Sequence, residues 1–561
     1  MLIDNVVAAF HELFVFETIF LMMVGVVAGL IAGGVPGFTI AMAVVLTLPF
    51  TFGMDAVQGL AVMMGVFVGG LSGGLMSGIL TGIPGTPSSV ATTFDGFPMA
   101  RAGRPGLALG LGVWSSFFGG IISAILLVTL APQLARIGLE FQQWDYFALV
   151  LFALTITASL AGENLVKGLI AGALGLLIAT VGEDEINGVA RFHFGNEALK
   201  QGFGFLPVLI GLFAFSQLLS DLEDRVKARR SLSEGGGVAV RIEHRKAAMT
   251  VLKHWVNLVR SSLIGVFTGI LPAAGSSISN ILAYDQAKKA SKEPETFGTG
   301  CVDGIIAPES ANNATAGGAL ITMMALGIPG DIVTAVMLGA LLIHDIIPSP
   351  TFITETPVLA YSLFLAFFLA NFMMLALQSY TLRLFVLITR VRMYVLASII
   401  LAYCAIGVFA LSNIAFDIWT LFWFGVLGYL MRIFGFPLAP MILGVVLGRI
   451  AEQWLARALA RSDDLTYFVT SPWSLFFLTL AAFSVFFPKY QAERGKRKWT
   501  LFYPAIFTMS LSVPAFMMGG PVRIVLGILL IALGVRSLIK HNANGWRVDP
   551  AAGNAPRLRE G

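Results

Sequence analysis

The chain has 561 residues, of which 57% are hydrophobic and 12% are charged, and its formal net charge is +4. Soluble globular domains carry about 25% charged residues, so this composition excludes an ordinary soluble protein. Apolar windows of about 17 to 25 residues, the length that crosses a bilayer, recur along the chain and predict an all-α polytopic membrane protein. Lys and Arg in cytoplasmic loops account for the small positive charge, so we expect no nucleic-acid partner.

The first half of the chain, residues 1–222, is predicted to be a transmembrane repeat with about seven apolar segments. These segments cover roughly 14–34, 39–54, 56–80, 106–132, 145–161, 164–182 and 203–221. The acidic N-terminus lacks the basic region of a signal peptide, so we expect the first segment to be retained as a span.

A basic segment at 223–255 follows the first half. By the positive-inside rule, it is a cytoplasmic linker between two halves. The same rule places Arg101 and Arg104 inside and the acidic loop at 183–185 outside. Because about seven crossings precede the linker, the second half must start from the side opposite to the first. We therefore predict two related halves, with inverted topology and with broken or re-entrant helices.

The second half, residues 256–490, opens like the first. Gly265 and Gly269 repeat the spacing of Gly25, Gly29 and Gly33, which lets another backbone approach closely. Each half contains the sequence Gly-Ile-Pro-Gly, at 82–85 and at 327–330. Such breaks are tolerated at membrane depth only where protein or a watery cavity surrounds them. Helix packing without a ligand is the alternative for the glycines. The segments beyond residue 350 are predicted to form lipid-facing scaffold helices. Residues 491–561 are predicted to form an extra C-terminal hairpin and a polar tail.

Helix starts at these breaks offer free amide groups and a positive dipole end, which favour the binding of carboxylates. Thr39, after Pro36 and Gly37, marks another such start. The predicted substrate-binding residues are Gly85, Thr86, Ser88, Ser89, Gly275, Ser276, Ser277, Gly330 and Asp331.

A polar run within apolar sequence supplies the predicted coupling-ion residues, Glu309, Ser310, Asn312, Asn313 and Thr315. Neutral amide and hydroxyl oxygens suit Na⁺, and the carboxyl group can complete a cation site or carry a proton. The alternative is a polar network that only satisfies buried backbone. Asp95 is assigned a gating or coupling role, with a turn at the membrane surface as the alternative. His344 and Asp345 form either a coupling pair or an interfacial pair.

Enzyme motifs of the types HExxH, GxSxG and GxxxxGK[ST] do not occur in the sequence. We therefore predict no enzyme, no catalytic residue, and no cofactor or metal other than Na⁺ or H⁺ as the coupling ion. Cys301 and Cys404 are too few for a disulfide framework and lack metal-ligand spacing. Without a nucleotide site, transport would need an ion gradient.

Three long stretches combine glycine-rich helices with polar residues and breaks that contain glycine and proline: GGLMSGILTGIPGTPSSVATTFDGFPMARAGRPGLALG (73–110), GVFTGILPAAGSSISNILAYDQAKKASKEPETFGTG (265–300) and APESANNATAGGALITMMALGIPGD (307–331). In these stretches the chain resembles the large membrane subunit of the tripartite tricarboxylate transporter family. With the intervening spans, the resemblance covers about 15–488. It implies a secondary transporter of the bacterial inner membrane that imports di- or tricarboxylates or related organic anions. It also implies a periplasmic solute-binding protein, a small membrane subunit and coupling to Na⁺ or H⁺.

Three features depart from the family pattern: the pair Leu71 and Ser72, the segment 344–350, and the hairpin beyond 490. The first two bear on which substrate is carried, and the third on whether a separate small subunit is needed. An ion channel or a non-transporting membrane scaffold is the alternative function.

Overall fold

The computed structural model describes residues 2–35, 38–160, 164–184, 188–223, 240–272, 274–344, 346, 348–388, 393–543 and 546. The expectations on Pro36, Gly37, Asp345, residues 224–239 of the linker and most of the polar tail lie outside these residues. The helices are α1 (Leu2–Leu13), α2 (Phe16–Gly34), α3 (Ile40–Thr51), α4 (Ala56–Thr81), α5 (Val90–Arg101), α6 (Pro105–Gly138), α7 (Gln143–Leu160), α8 (Leu165–Ala179), α9 (Phe205–Ile210), α10 (Ser216–Glu223), α11 (His244–Lys253), α12 (Trp255–Ile270), α13 (Gly275–Ala290), α14 (Asp303–Leu326), α15 (Ile332–Ile343), α16 (Phe352–Glu355), α17 (Pro357–Ile388), α18 (Met393–Ser412), α19 (Ala415–Ile433), α20 (Leu438–Arg461), α21 (Tyr467–Thr470), α22 (Pro472–Glu493), α23 (Trp499–Met517) and α24 (Pro521–Ala543).

Other regular structure in the described part of the chain is short. Strands β1 (Gly182–Glu183) and β2 (Ala190–Arg191) pair antiparallel, with Gly182 opposite Arg191. The 3₁₀ segments are Pro87–Ser89, Glu197–Gln201 and Pro294–Thr296, and a π-helical turn spans Gly211–Phe215.

Nine helices in the described residues are long and apolar enough to cross a membrane. They are α2, α4, α6, α17, α19, α20, α22, α23 and α24. Apolar helices of 10–17 residues, among them α3, α8 and α12, accompany them. The prediction of an all-α polytopic membrane protein is confirmed.

The chain divides into two compact units. The first comprises Met1–Leu139 and Glu197–Phe434, and the second comprises Glu140–Asn196 and Gly435–Gly561. Every predicted site residue lies in the first unit. This division follows compactness and does not test the predicted halves, whose inverted orientation stays a prediction.

In the second unit, glycines bring α8 and α20 together. A Cβ atom at Gly444 would lie 2.5 Å from the carbonyl oxygen of Gly172. Arg191, in β2, forms an ion pair with Glu452 of α20. The extra hairpin predicted beyond 490 is the pair α23 and α24, which pack on each other.

Two helices form the centre of the first unit. The apolar window of α4 is entirely buried, and the polar run on α14 is buried along its whole length. Helix α4 packs against α2, and α14 packs against α12.

Glycine makes both of these close pairings possible. A Cβ atom at Gly29 of α2 would lie 2.8 Å from the amide nitrogen of Gly70, and one at Gly269 of α12 would lie 2.8 Å from that of Ala319. Gly25 approaches the carbonyl group of Val62 on α4. In the same way, Gly265 approaches the carbonyl group of Ala311 on α14. The glycine spacing shared by the two sequences therefore corresponds to the same backbone contact in each half.

Replacing Gly269 by alanine should destabilise the protein, because the new methyl group would overlap the α14 backbone. Overpacking of this kind costs about 1–3 kcal/mol. Thermal unfolding of the purified protein in detergent measures the loss. Gly53→Ala is the matched control, since no atom lies within 4 Å of that Cβ position. Equal unfolding temperatures for the two variants would contradict the predicted contact.

Candidate functional site

The first break follows α4, whose C-cap residue Gly82 adopts the left-handed conformation with φ 77°. The 3₁₀ turn Pro87–Ser89 then leads into α5. The Ser89 hydroxyl donates to the carbonyl oxygen of Thr86 at 2.9 Å, and the Thr86 and Ser88 hydroxyl oxygens are 3.0 Å apart. All three side chains are buried. A buried start with neutral capping hydroxyls therefore lies where the sequence predicts carboxylate binding.

The second break repeats this structure but carries a charge. Helix α14 ends at Gly327 with φ 71°, and Asp331 caps α15. Its Oδ1 atom accepts from the Thr334 amide at 2.7 Å and from the Thr334 hydroxyl at 2.8 Å. Since this carboxylate already occupies the free amides, a substrate carboxylate there would meet a like charge. The geometry therefore favours the first break over Gly330 and Asp331 for binding anions.

Helix α13 connects the two breaks. At its start, a Cβ atom on Gly275 would lie 3.8 Å from the Cβ atom of Asp331, and Ser276 and Ser277 follow directly. Further along α13, the Asn280 side-chain oxygen accepts from the Ala91 amide at 2.8 Å, in the first turn of α5. The structure thus brings the predicted helix starts at Gly275 and Asp331 together. Asn280, a residue that sequence analysis missed, connects α13 to a third helix start, that of α5.

Glu309 is a fully buried carboxylate on α14. It accepts hydrogen bonds from the Thr92 hydroxyl of α5 at 2.6 Å and from the Ser116 hydroxyl of α6 at 2.8 Å. Ion pairs within the described part of the chain do not include it. A buried charge without a basic partner is costly, so a proton or a bound cation must balance it.

An amide cluster lies next to Glu309, where α14 and α17 meet α4. The Asn312 side-chain NH₂ donates to the Leu71 carbonyl at 3.0 Å, and the Gln378 NH₂ donates to the Ser72 carbonyl at 3.3 Å. Because each NH₂ group is fixed by a backbone acceptor, each amide oxygen must point away from that carbonyl. In the described part of the chain, Asn312 Oδ1 and Gln378 Oε1 are buried and have no hydrogen-bond donor. Unpaired oxygens of this kind suit a cation.

Asn313 belongs to the same cluster, but its amide oxygen and its NH₂ group each have a hydrogen-bond partner. Its Oδ1 atom accepts from the Ser72 hydroxyl at 2.9 Å, and its NH₂ group donates to the Glu309 carbonyl at 3.3 Å. The sequence departure at Leu71 and Ser72 thus lies at the predicted ion site and not at the predicted carboxylate site. It therefore bears on the coupling ion more directly than on the substrate.

Ser310 and Thr315 have satisfied hydroxyl groups. Ser310 donates to the Ile306 carbonyl at 2.8 Å, and Thr315 donates to the Ala311 carbonyl at 2.8 Å. The Thr315 hydroxyl oxygen also lies 2.7 Å from that of Ser279 on α13. The hydroxyl groups of both residues therefore already have hydrogen-bond partners in the packed helices. Their role as ion ligands stays a prediction.

Asp95 lies inside α5 and is fully buried, so the alternative of a surface turn is wrong. Its Oδ1 atom accepts from the backbone amides of Gly298, Gly300 and Cys301 at 2.9, 2.8 and 2.7 Å, and Oδ2 accepts from the Tyr284 hydroxyl at 2.9 Å. The carboxylate therefore ties α5 to the loop between α13 and α14. Its gating or coupling role stays a prediction.

His344 ends α15, and a Cβ atom on Gly59 would lie 3.6 Å from its Nε2 atom. Since Asp345 lies outside the described residues, the predicted pair stays a prediction. Thr92, Ser116, Asn280 and Gln378 are the polar residues of this region that sequence analysis missed. Each contributes through a contact to a distant segment, and no local motif marks it.

Comparison with known proteins gives two kinds of match. The sequence model of a family described as "Tripartite tricarboxylate transporter TctA family" matches residues 19–443. A protein of Agrobacterium vitis, "Uncharacterized 52.8 kDa protein in TAR-I ttuC' 3'region", is 32% identical over 426 residues, which cover 74% of this chain and 82% of the relative. A second protein of that organism, "Uncharacterized protein in TAR-II ttuC' 3'region", is 33% identical over 234 residues, or 42% of this chain and 97% of the relative. No solved structure matches the chain significantly.

Proposed function

Because the chain belongs to the tripartite tricarboxylate transporter TctA family, we propose that it is the large permease subunit of an ion-driven importer of di- or tricarboxylates or related organic anions. The observation that carries this proposal is the buried arrangement around α14. A carboxylate without a basic partner and two unpaired amide oxygens lie on or beside one helix, and two capped helix starts flank it.

A substrate carboxylate would bind at the first break, and another polar group of the substrate would bind at the start of α13. The first break has capping hydroxyls and no acidic side chain of its own, from Gly85 through Ser89. Helix starts of this kind attract anions through the helix dipole and through amides that have no other partner; the Ala91 amide here is already bonded to Asn280. The start at Gly275 lies beside Asp331, so a substrate group that meets both would best be a hydroxyl or a protonated carboxyl.

The coupling ion would bind near Glu309 and Asn312. The carboxylate supplies a charge, the amides supply neutral oxygens, and these donors suit Na⁺ as well as a proton on the carboxyl group. We propose that a gradient of one of these ions drives uptake.

The proposed partners are a periplasmic solute-binding protein, which delivers the anion, and a small membrane subunit; the chain itself is proposed to lie in a bacterial inner membrane. The family match ends at residue 443, so α22, α23 and α24 lie beyond it. Omitting the small subunit tests whether this C-terminal part makes it dispensable.

Uptake of labelled carboxylates into vesicles tests the function. Vesicles carry this chain with its binding protein and small subunit, with or without a Na⁺ gradient, and each partner is omitted in turn. Saturable uptake that needs the binding protein and an ion gradient is expected. Currents far above the turnover of a transporter would indicate a channel, and no uptake of any carboxylate would contradict the substrate class.

Asn312→Ala should weaken the dependence of uptake on the coupling cation, because it removes an unpaired buried oxygen. We expect the half-saturating Na⁺ concentration to rise about fivefold to tenfold, as for the loss of one hydrogen-bond-sized interaction. Ser262→Ala is the matched control, since this buried hydroxyl on α12 bonds to a carbonyl group of its own helix and lies outside the predicted ion site. The same loss of folded protein and of uptake in Asn312→Ala would instead support a purely structural network.

A further inference from the structure

A cavity of about 600 Å³ lies between the end of α4, the start of α11 and the C-terminal part of α17. Its polar lining is Arg241, His244, Ser379, Tyr380 and Arg383. The His244 Nε2 atom lies 2.7 Å from the Ser379 hydroxyl oxygen, which joins α11 to α17. The walls of the cavity are therefore held by a direct contact and do not depend on a bound molecule.

The charge of this cavity is positive. Arg241 and Arg383 are exposed, and the described residues that line the cavity include no acidic side chain. Glu243, next to the lining residue Ile242, lies 3.4 Å from Lys246 and forms an ion pair with it. Two exposed arginines without an ion-pair partner in the described part of the chain thus line one space.

The cavity lies at the cytoplasmic end of the first unit. The Glu243 amide donates to the Gly106 carbonyl at 3.1 Å, at the start of α6. Arg101 and Arg104 flank the same turn between α5 and α6. By the positive-inside rule, this end faces the cytoplasm, where one membrane leaflet supplies anionic headgroups.

The rest of the lining is apolar, with Leu80, Ile242, Leu375, Ala376 and Leu382 among its residues. Tyr380 is 71% exposed at the rim, as is typical of aromatic side chains at a membrane interface. A ligand that fits this cavity has an anionic group for the arginines and an apolar part beside it. We propose that the cavity binds the phosphate group of an anionic membrane phospholipid between Arg241 and Arg383, with Ser379 and Tyr380 as hydrogen-bond donors.

Native mass spectrometry of the purified full chain in detergent tests this site. The probes are phosphatidylglycerol, zwitterionic phosphatidylcholine and inorganic phosphate. We expect retention of phosphatidylglycerol to fall about fivefold in Arg383→Gln, because each basic side chain near anionic lipid contributes about 1 kcal/mol. In the double variant with Arg241→Gln, the two losses multiply to about 30-fold. Arg104→Gln, an exposed arginine at the same end, is the matched control and should retain the lipid like the wild type.

Arg383→Lys keeps the charge and should retain most of the lipid, which separates loss of charge from loss of folding. Equal retention of phosphatidylglycerol in the double variant and in Arg104→Gln would overturn the proposal. Equal retention of phosphatidylcholine and phosphatidylglycerol by the wild type would also overturn it. Displacement of the lipid by inorganic phosphate at matched concentration would show a site for soluble anions and would overturn the lipid assignment.

Discussion

Replacing Glu309 by glutamine should abolish most ion-coupled uptake without destabilising the protein. The carboxylate is fully buried and has no basic partner in the described residues, so its charge would be available to the proposed coupling ion. Glutamine preserves the size and can still accept from Thr92. The loss of a charged interaction of about 1.5–3 kcal/mol lowers uptake about 10- to 100-fold.

The stability of Glu309→Gln, in contrast to its uptake, should rise or stay unchanged. Removing an unpaired buried charge is often neutral or stabilising, so the unfolding temperature of Glu309→Gln should equal or exceed that of the wild type. Ser116→Ala is the control, since it removes one hydrogen-bond donor and leaves the charge. Glu309→Gln with wild-type uptake and unchanged ion dependence would show that the carboxyl group only packs.

Replacing Asp95 by alanine should cause the largest loss of stability. Three backbone amides and the Tyr284 hydroxyl would lose their acceptor. These four hydrogen bonds are partly buried, and the loss of each costs about 1 kcal/mol, so we expect a loss of about 4 kcal/mol in total. The unfolding temperature and the yield of folded protein measure this effect.

Tyr284→Phe is the graded control for Asp95→Ala, because it removes one of the four donors and retains the carboxylate. We expect a stability loss of about 1 kcal/mol for it. If Asp95→Ala folds with an unchanged unfolding temperature but fails to transport, the gating or coupling role is favoured over a structural tie.

Local chemistry predicted the ends of the broken helices well. The αL glycines at 82 and 327 and the caps at Thr39 and Asp331 follow from Gly-Ile-Pro-Gly and from capping residues, so they can be identified from a few adjacent positions. Asp95 was harder. Its Asp-Gly-Phe-Pro context is typical of a turn, yet long-range hydrogen bonds hold it in a helix that tolerates Pro98.

The site residues that sequence analysis missed share one property. Gln378 reaches α4 from 306 positions away, and Ser116 reaches Glu309 from 193 positions away. Such pairs depend on which helices pack together, and a single sequence contains no periodic signal for them. The neutral cap at Thr86 and the charged cap at Asp331 were visible in the sequence. Their consequence for the substrate became clear only once α13 was seen to contact both breaks.

The backbone contacts between α2 and α4 and between α12 and α14 limit how a transport cycle can move. Where glycine leaves no side chain at the contact, there are no rotamers to rearrange, so each pair must travel as a rigid body. Conformational change is then confined to the boundaries of these bodies. One such boundary is α5, which α14 holds through Glu309 and the α13–α14 loop holds through Asp95. Exchange between inward-facing and outward-facing states would proceed by breaking and remaking these few polar contacts.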